Sequence, residues 1–271
     1  MPKCATLWYY FHMYPTLFGF LESYTVMIVL GVIVALIIFE LFFRKCLKEP
    51  GGKVYYVELS LLTSIAIGII GAYLTQNLYD FIQDPAHYSW SWTLTFYGGF
   101  IFGVGTFILL YFVWVRKYYP EALEKLFWIF PACIALAHAI GRIGCFLAGC
   151  CYGVETHEWF GVHFQTTDTT VVPTNLFEAI FLFVLGGGLA LLAFKKKSPY
   201  GLSIYAVAYG IWRFSIEFVR GDYRGTFIPG ITPSQFWSIL LVLFGIGYFL
   251  FRFFYLNKRI AAKKESDETS N

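Results

Sequence analysis

The sequence predicts an all-α polytopic membrane protein with seven transmembrane helices, an outside N-terminus and a cytoplasmic C-terminus. Three observations support this fold class. Of the 271 residues, 58% are hydrophobic and only 14% are charged, whereas soluble domains contain about 45–50% apolar and about 25% charged residues. Seven apolar stretches are long enough to cross a bilayer, and basic residues concentrate after alternate stretches. This composition argues against disorder and against a soluble enzyme.

The seven predicted spans follow from length, because a bilayer core about 30 Å thick requires about 20 mostly apolar residues in a helix. They cover residues 22–43, 57–79, 92–115, 126–147, 176–194, 200–219 and 234–255. The first span is too long for a cleaved signal peptide and is expected to be retained. We therefore expect a single integral membrane domain over residues 1–271 with a polar C-terminal tail at about 258–271, disordered over its last part, 261–271.

Basic residues set the expected orientation of the spans. Fifteen of the 20 Lys and Arg residues follow the first, third, fifth and seventh spans, and positive charge concentrates on the cytoplasmic side of membrane proteins. Lys3, Arg220 and Arg224 fall on the opposite side. The loop at 147–175 is therefore expected to face outward.

The two remaining arginines lie inside predicted spans, Arg142 within AHAIGRIGCF and Arg213 within AYGIWRFSIEF. A buried arginine is costly in a membrane and keeps its proton. One such residue is as readily explained by snorkelling or by a structural ion pair with an acid such as Glu217. Two of them near the outer ends of different helices favour a shared anionic ligand, and phospholipid phosphates are the abundant anions at that depth.

Helical spacing places further polar residues beside the two arginines. One helix face carries Tyr209, Arg213 and Glu217, with Arg220 close to it. His138 lies four residues before Arg142 and shares its face. A lone histidine is more often a structural hydrogen-bonding residue, but beside a buried cation a neutral imidazole is a candidate base.

Three cysteines, Cys145, Cys150 and Cys151, crowd into seven residues after the fourth span. The favoured interpretation is that they are small packing residues, and the next is a disulfide on the oxidising outer face. A metal site that also used His138 ranks last, because a fourth ligand is not evident. No metal or cofactor is therefore expected.

Several ordered motifs resemble those of the bacterial prolipoprotein diacylglyceryl transferases. The segments are TFYGGFIFG (95–103), GRIGCFLAGCCYG (141–153), VPTNLFEA (172–179), YGIWRFSIEFVRGD (209–222) and TPSQFWSI (232–239). The resemblance extends from the first to the seventh span. It implies a transferase of the bacterial cytoplasmic (inner) membrane that moves the diacylglyceryl group of phosphatidylglycerol to a prolipoprotein thiol, forming a thioether and releasing glycerol phosphate.

The resemblance also implies roles for individual residues. Arg142 and Arg213 match the family's essential arginines, and Tyr209 matches its tyrosine. Further positions implied to contact substrate are Glu217, Arg220, Glu178, Gln235, Gly98 and Gly99. The two glycines are also explained by close helix packing, which is the safer interpretation. The implied partners are phosphatidylglycerol, a lipoprotein precursor or other acceptor, and membrane lipid, with no nucleic acid.

This chain departs from the family pattern on the side that handles the acceptor. Tyr97 replaces a histidine, Cys145 an asparagine and Cys150 a glutamate, so His138 or Tyr97 is a hypothetical replacement base. The donor lipid is expected to be retained more readily than the acceptor. Two alternatives remain: a non-catalytic phospholipid-binding paralogue, and a thiol redox membrane protein that uses the cysteine cluster.

Overall fold

The computed structural model describes residues 16–17, 21–90, 95–221 and 230–269, and this part of the chain is mostly helical. A short antiparallel pair, β1 (Thr16–Leu17) and β2 (Leu21–Glu22), precedes the first helix. The helices are α1 (Ser23–Glu40), continued by a π-helix over Leu41–Cys46, α2 (Gly51–Gln83), α3 (Phe96–Leu110), continued by a π-helix over Tyr111–Val115, α4 (Arg116–Tyr118), α5 (Ala122–Leu147), α6 (Thr174–Lys196), α7 (Gly201–Ile216) and α8 (Pro233–Thr269).

Six helical segments in the described part of the chain are long and apolar enough to cross a membrane. They are Ser23–Cys46, Gly51–Ile82, Gly98–Tyr118, Ala122–Leu147, Thr174–Lys196 and Pro233–Tyr255. Helix α7, at the sixth predicted span, has 16 residues, which extend about 24 Å, less than a bilayer core of about 30 Å. The protein is a multi-pass membrane protein, and seven spans with an outside N-terminus remain a prediction.

Large apolar side chains on these helices point away from the protein. Val184 on α6 is 73% exposed, and Ile101 and Val113 are similarly uncovered. Such surfaces are stable when hydrocarbon covers them, and helices satisfy their own backbone hydrogen bonds there. The exposed apolar residues therefore agree with a membrane location.

Contacts divide the chain into two compact units. One comprises Met1–Glu40 and Phe127–Asn271, and the other comprises Leu41–Leu126. The first unit contains most of α5 together with α6, α7 and α8, and the second contains α2, α3 and α4. The expectation of one integral membrane domain stays a prediction.

In the second unit, α2 and α3 approach each other at glycines. A Cβ on Gly98 would lie 2.5 Å from the Thr75 hydroxyl oxygen and 2.7 Å from the Gly71 carbonyl oxygen. A Cβ on Gly68 would lie 3.3 Å from the Cα of Gly103. Small residues permit this close approach in membranes, so the space beside Gly98 is already occupied by α2.

The second unit also contains a partly enclosed ion-pair cluster. The ammonium group of Lys125 lies 2.5 Å from Glu49 and 2.8 Å from Glu121. Burial opposes the ionisation of Glu49, but the hydrogen bond and positive charge of Lys125 outweigh it and hold the pKa of Glu49 below its usual range. Glu49 is therefore a carboxylate that stabilises the folded state in its ionised form.

In the first unit, glycines bring the helices of the candidate site together. A Cβ on Gly186 of α6 would lie 2.7 Å from Leu136 of α5, and a Cβ on Gly210 of α7 would lie 2.7 Å from Val242 of α8. At these distances the four helices have no room for intervening side chains. Polar groups on their facing surfaces consequently contact one another directly.

The segment between α5 and α6 forms a two-stranded antiparallel pair, β3 (Val162–His163) and β4 (Thr170–Val171). Phe164 is fully buried beneath it. A backbone bridge between Gly153 and Arg220 joins the turn that follows α5 to the end of α7. This bridge brings the fourth sequence motif to the second, and the Gly153 N–H donates to the carbonyl of Val172 in the third.

The C-terminal segment differs from the disordered tail expected at 261–271, because α8 continues to Thr269. Residues 261–265, with the sequence AAKKE, include strong helix formers. A helix that already has many turns adds such residues without a new nucleation cost. The polar composition therefore marked the end of the membrane-crossing part of α8 rather than the end of the helix.

Candidate functional site

A buried carboxylate joins three helices at the centre of the site. Glu178 of α6 is 1% exposed. Its Oε1 lies 3.0 Å from Nη2 of Arg142 on α5 and accepts a 2.9 Å hydrogen bond from the Tyr209 hydroxyl of α7. A buried charge is strongly destabilising without its partner, so Arg142 and Glu178 depend on each other. The resemblance implied a substrate contact for Glu178, whereas the structure pairs it with Arg142 and Tyr209.

His138 is held by the same arginine. The Nε of Arg142 donates a 3.2 Å hydrogen bond to His138 Nε2. A guanidinium group only donates, so Nε2 accepts, the imidazole is neutral, and its proton is assigned to Nδ1. The nitrogen with the lone pair is thus already engaged. His138 can accept a proton at Nε2 only after Arg142 has moved away.

The second arginine has its own carboxylate. Nη1 of Arg213 lies 2.7 Å from Glu217 Oε2 as an ion pair, and Nη2 donates a 2.7 Å hydrogen bond to the Ser234 hydroxyl. The other oxygen of Glu217 accepts a 2.9 Å hydrogen bond from Thr232, and Arg220 Nε lies 4.0 Å from Glu217 Oε2. Arg142 and Arg213 are therefore both charge-balanced inside the protein.

The residues that contact Arg213 and Glu217 belong to the N-terminal cap of α8. The backbone N–H of Gln235 donates to the Thr232 hydroxyl at 3.2 Å, and Gln235 Oε1 accepts from the Thr232 backbone N–H at 3.1 Å. This is a capping box with Pro233 at the first helical position. The side-chain oxygen of Gln235 thus serves the helix start. Thr232 and Ser234 were missed in the sequence, although T-P-S-Q is a recognisable capping pattern.

The end of α5 brings two of the cysteines together. Gly149, with φ of 64°, donates its N–H to the Phe146 carbonyl, and Cys150 donates its N–H to the Cys145 carbonyl at 3.1 Å. These bonds form a Schellman motif, which folds the chain back over the last helical turn. Residues five apart in sequence consequently become neighbours. The apolar contact that usually accompanies this motif is replaced by two thiols.

The N-terminus of α6 fixes the other side of the cysteine turn. Cys151 has φ of 61°, a left-handed conformation that is unfavourable for a residue with a Cβ. The Thr174 hydroxyl donates to the Cys151 carbonyl and the Asn175 amide donates to the Cys150 carbonyl, both at 2.9 Å. The sulfur atoms of Cys145, Cys150 and Cys151 lie within 4.8 Å of one another. No disulfide joins these three sulfurs.

We call these three sulfurs the thiol cluster. Two positively charged side chains, Arg142 and Arg220, lie beside it. Arg142 lies one helical turn before Cys145 and interacts electrostatically with all three sulfurs. Arg220 donates a hydrogen bond to the Cys151 sulfur. Hydrogen bonds from the other two thiols, and then the charge of Arg142, lower the pKa of Cys151 below its ordinary value. The charge of Arg142 therefore acts on the thiol cluster as well as on Glu178.

The structure brings most of the predicted site residues into the first unit. They are His138, Arg142, Cys145, Cys150, Cys151, Glu178, Tyr209, Arg213, Glu217, Arg220 and Gln235. The predicted glycines Gly98 and Gly99 lie on α3 in the second unit. The side chain of Tyr97 lies outside the described residues, as does Arg224.

An apolar groove adjoins the polar residues. Its volume is about 320 Å³, and it is lined by Phe160, Val172, Thr174, Phe177, Trp212, Ser215, Ile216 and Val219. Thr174 also holds the Cys151 carbonyl, and Trp212 precedes Arg213 on α7. Hydrocarbon in this groove would therefore lie within one or two residues of the charged groups.

These features define the class of protein: a multi-pass membrane protein with a buried, charge-balanced arginine–carboxylate site, a thiol cluster and an adjoining apolar groove. Ionisable residues at membrane depth are costly and mark functional sites. Two arginines paired with two carboxylates form the candidate site here. The four helices α5, α6, α7 and α8 contribute to it.

Comparison with known proteins places the chain in a family. A family model described as prolipoprotein diacylglyceryl transferase matches residues 15–251. The phosphatidylglycerol–prolipoprotein diacylglyceryl transferase of Clostridium tetani is 32% identical over 244 residues, which cover 86% of this chain and 94% of the relative. Transferase 2 of Clostridium perfringens is 32% identical over 257 residues, covering 91% and 94%, respectively. The chain belongs to the prolipoprotein diacylglyceryl transferase family and is a transferase, which confirms the resemblance drawn from its motifs.

Proposed function

We propose that the protein transfers the diacylglyceryl group of phosphatidylglycerol to a cysteine thiol of a prolipoprotein in the bacterial cytoplasmic membrane. The relatives are named phosphatidylglycerol–prolipoprotein diacylglyceryl transferases. The observation that carries the proposal is the pair of mostly buried guanidinium groups, Arg142 and Arg213, which lie in one compact unit at positions that resemble the family's motifs. We further propose the predicted orientation, in which the N-terminus and the thiol cluster face outward.

The two arginines suit a lipid phosphate. Each guanidinium group has five N–H donors, so its contacts with Glu178 or Glu217 leave donors for phosphate oxygens. The ion pairs also fix the arginine side chains in place before substrate arrives, which lowers the cost of binding. As the glycerol carbon–oxygen bond breaks, charge grows on the departing phosphate, and fixed donors stabilise that charge most strongly in the transition state.

The apolar groove supports a lipid donor. Its lining is almost wholly hydrocarbon and aromatic and includes Thr174 and Trp212. A lipid bound with its phosphate at the arginines has acyl chains that must enter an apolar space. The groove is an apolar space within the same unit. We therefore assign it to an acyl chain of the donor.

The acceptor thiol must react as thiolate, because the thiol form is a weak nucleophile. In this chain the family's histidine is replaced by Tyr97, and His138 Nε2 is occupied by Arg142. By resemblance to the family motif, Cys145 and Cys150 stand in place of an asparagine and a glutamate. Activation of the acceptor therefore requires groups other than those of the usual family pattern.

Transfer is tested with the purified full chain in vesicles that contain phosphatidylglycerol, using a peptide with a single acceptor cysteine. Mass spectrometry should detect the thioether-linked diacylglyceryl peptide, and the serine twin of the peptide should yield none. The double variant Arg142→Gln/Glu178→Gln removes both members of the buried pair and so avoids leaving an unpaired charge. It should lose at least about 100-fold in rate. The exposed Arg116→Gln change on α4 is the matched control.

The outcomes separate transfer from simple lipid binding. Wild-type protein that binds phosphatidylglycerol but forms no thioether would be the non-catalytic paralogue. Full activity in a folded double variant would remove Arg142 from the phosphate site. Activity lost on Cys→Ser changes in the thiol cluster but kept without Arg142 would favour thiol redox chemistry instead.

A further inference from the structure

The geometry of the thiol cluster is fixed by the residues around it. Its cysteines are held by the Schellman turn at Gly149 and by hydrogen bonds from two buried residues of α6, Thr174 and Asn175. Cys151 is kept in a left-handed conformation at φ of 61°. Unfavourable backbone geometry persists where the surroundings impose it, and such positions concentrate at functional sites. The proposed function uses the two arginines to bind phosphate, and it assigns no role to these three thiols.

We infer that Cys145, Cys150 and Cys151 bind one Zn²⁺ ion and that the acceptor thiol of the substrate occupies the fourth position of the metal. The inference deepens the proposed function, because it takes from it that the acceptor is a thiol. It departs from the sequence-based expectation, which ranked a metal site last for lack of a fourth protein ligand. A catalytic zinc site has three protein ligands and leaves the fourth position to substrate or water.

The distances fit such a site. The three sulfur atoms lie within 4.8 Å of one another. Zinc–sulfur bonds of about 2.3 Å in a tetrahedron place the sulfur atoms about 3.8 Å apart. Side-chain rotations that move the sulfur atoms by about 1 Å therefore complete the site. Cys145 is buried, whereas Cys150 is exposed, so the site is open on one side. A metal ion and a fourth ligand can enter there.

The charge and the ligand type favour zinc. Thiolates select zinc or Cu(I) among the available metals, and three thiolates already complete the trigonal site that Cu(I) prefers. Tetrahedral zinc retains an open position and does not change oxidation state. Zinc with three thiolates carries one net negative charge, which Arg142 and Arg220 beside the cluster stabilise.

The metal would supply what the altered acceptor side lacks. The acceptor thiol gives its proton to water and binds as a thiolate, since coordination deprotonates a thiol. Its sulfur then attacks the glycerol carbon that carries the phosphate. A sulfur–carbon bond forms as the carbon–oxygen bond breaks, and the bonding electrons leave on glycerol phosphate at the arginines. No oxidant or reductant is required, and the neutral thioether product is a weaker ligand that dissociates.

Metal binding is tested on the full chain, purified in detergent with its thiols reduced, loaded with Zn²⁺ alone and then dialysed. Elemental analysis should find one zinc per chain in the wild type and in Cys46→Ser, a cysteine of the second unit. Cys150→Ser changes an exposed side chain and should fold, yet weaken zinc binding by at least about 100-fold. A reduced wild type without zinc, or unchanged zinc in Cys150→Ser/Cys151→Ser, overturns the inference, as does a disulfide that persists within the cluster under these conditions.

The fourth position is tested with Co²⁺ in place of zinc. A peptide with the single acceptor cysteine should raise the thiolate-to-cobalt absorption of the wild-type protein, and its serine twin should not. Identical spectra with both peptides overturn the assignment of the fourth position.

Removal of the metal distinguishes this inference from the proposed function. Loss of thioether formation with chelator, restored by Zn²⁺, supports both. Full transfer by protein shown to be metal-free overturns the zinc inference and leaves the transferase assignment intact. Zinc and peptide binding without transfer from phosphatidylglycerol supports the metal site and overturns the transferase assignment.

Discussion

Replacing Glu178 with glutamine leaves the positive charge of Arg142 in the interior without its carboxylate. Glutamine has nearly the same shape and still offers an oxygen to the Tyr209 hydroxyl, so packing changes little. The lost interaction is the ion pair at 3.0 Å, formed by a carboxylate that is 1% exposed. Removing one partner of a buried pair costs about 3–5 kcal/mol, which corresponds to a fall in Tm of about 6–20 °C at this chain length.

The assay is thermal unfolding of the full chain in neutral detergent, followed by the exposure of buried cysteines to a thiol-reactive dye. Glu121→Gln is the matched control, because Glu121 pairs with Lys125 at 2.8 Å but has a side chain that is 68% exposed. Such surface pairs contribute little, so the Tm should barely change.

Anionic lipid provides a second measurement. Phosphatidylglycerol should raise the Tm of Glu178→Gln more than that of the wild type, because its phosphate replaces the missing negative charge beside Arg142. A neutral lipid should raise both equally. A Tm of Glu178→Gln within about 2 °C of the wild type would refute the reasoning, since it would mean that Arg142 does not depend on this carboxylate.

Three further predictions concern stability. Gly98→Ala should cost about 1–3 kcal/mol in unfolding free energy, because the added Cβ would meet α2. Gly105→Ala on the same helix should be neutral, because a Cβ there has no atom within 4 Å. Equal losses of stability in the two variants would contradict this packing. Thr232→Ala should cost about 1 kcal/mol by removing the α8 cap, and Thr232→Ser should restore it in the same thermal assay. Because the pKa of Glu49 is lowered, its contribution is present above the ordinary glutamate value of 4.5 and is lost as the pH falls through the lowered pKa. Glu49→Gln should therefore flatten the acid side of a plot of Tm against pH, and an unchanged acid slope would show that Lys125 does not stabilise this carboxylate.

Local sequence patterns predicted much of the fold and some of the contacts in the candidate site. Runs of apolar residues located the helices, because a bilayer imposes a minimum length on each span. Arg142 and Arg213 were evident since charges within predicted membrane spans are rare. The spacing of Arg213 and Glu217 correctly suggested their contact, because residues four apart on a helix are neighbours.

Other features depended on contacts between distant parts of the chain. Glu178 is 36 residues from Arg142, and their pairing required α5 and α6 to approach at Gly186. The thiol cluster required the Schellman turn at Gly149 together with the amide of Asn175.

The sequence alone therefore determined the class of the protein and its family, and phosphate binding by Arg142 and Arg213 stays a prediction. These properties follow from composition, periodicity and motif spacing, which are local. The tertiary structure decided which carboxylate balances each arginine, that His138 Nε2 is engaged, and that three thiols converge. Those contacts depend on how the helices pack at van der Waals distance. If one helix were displaced by one residue along its neighbour, every contact between them would change. A pattern along the chain therefore does not predict which side chains meet.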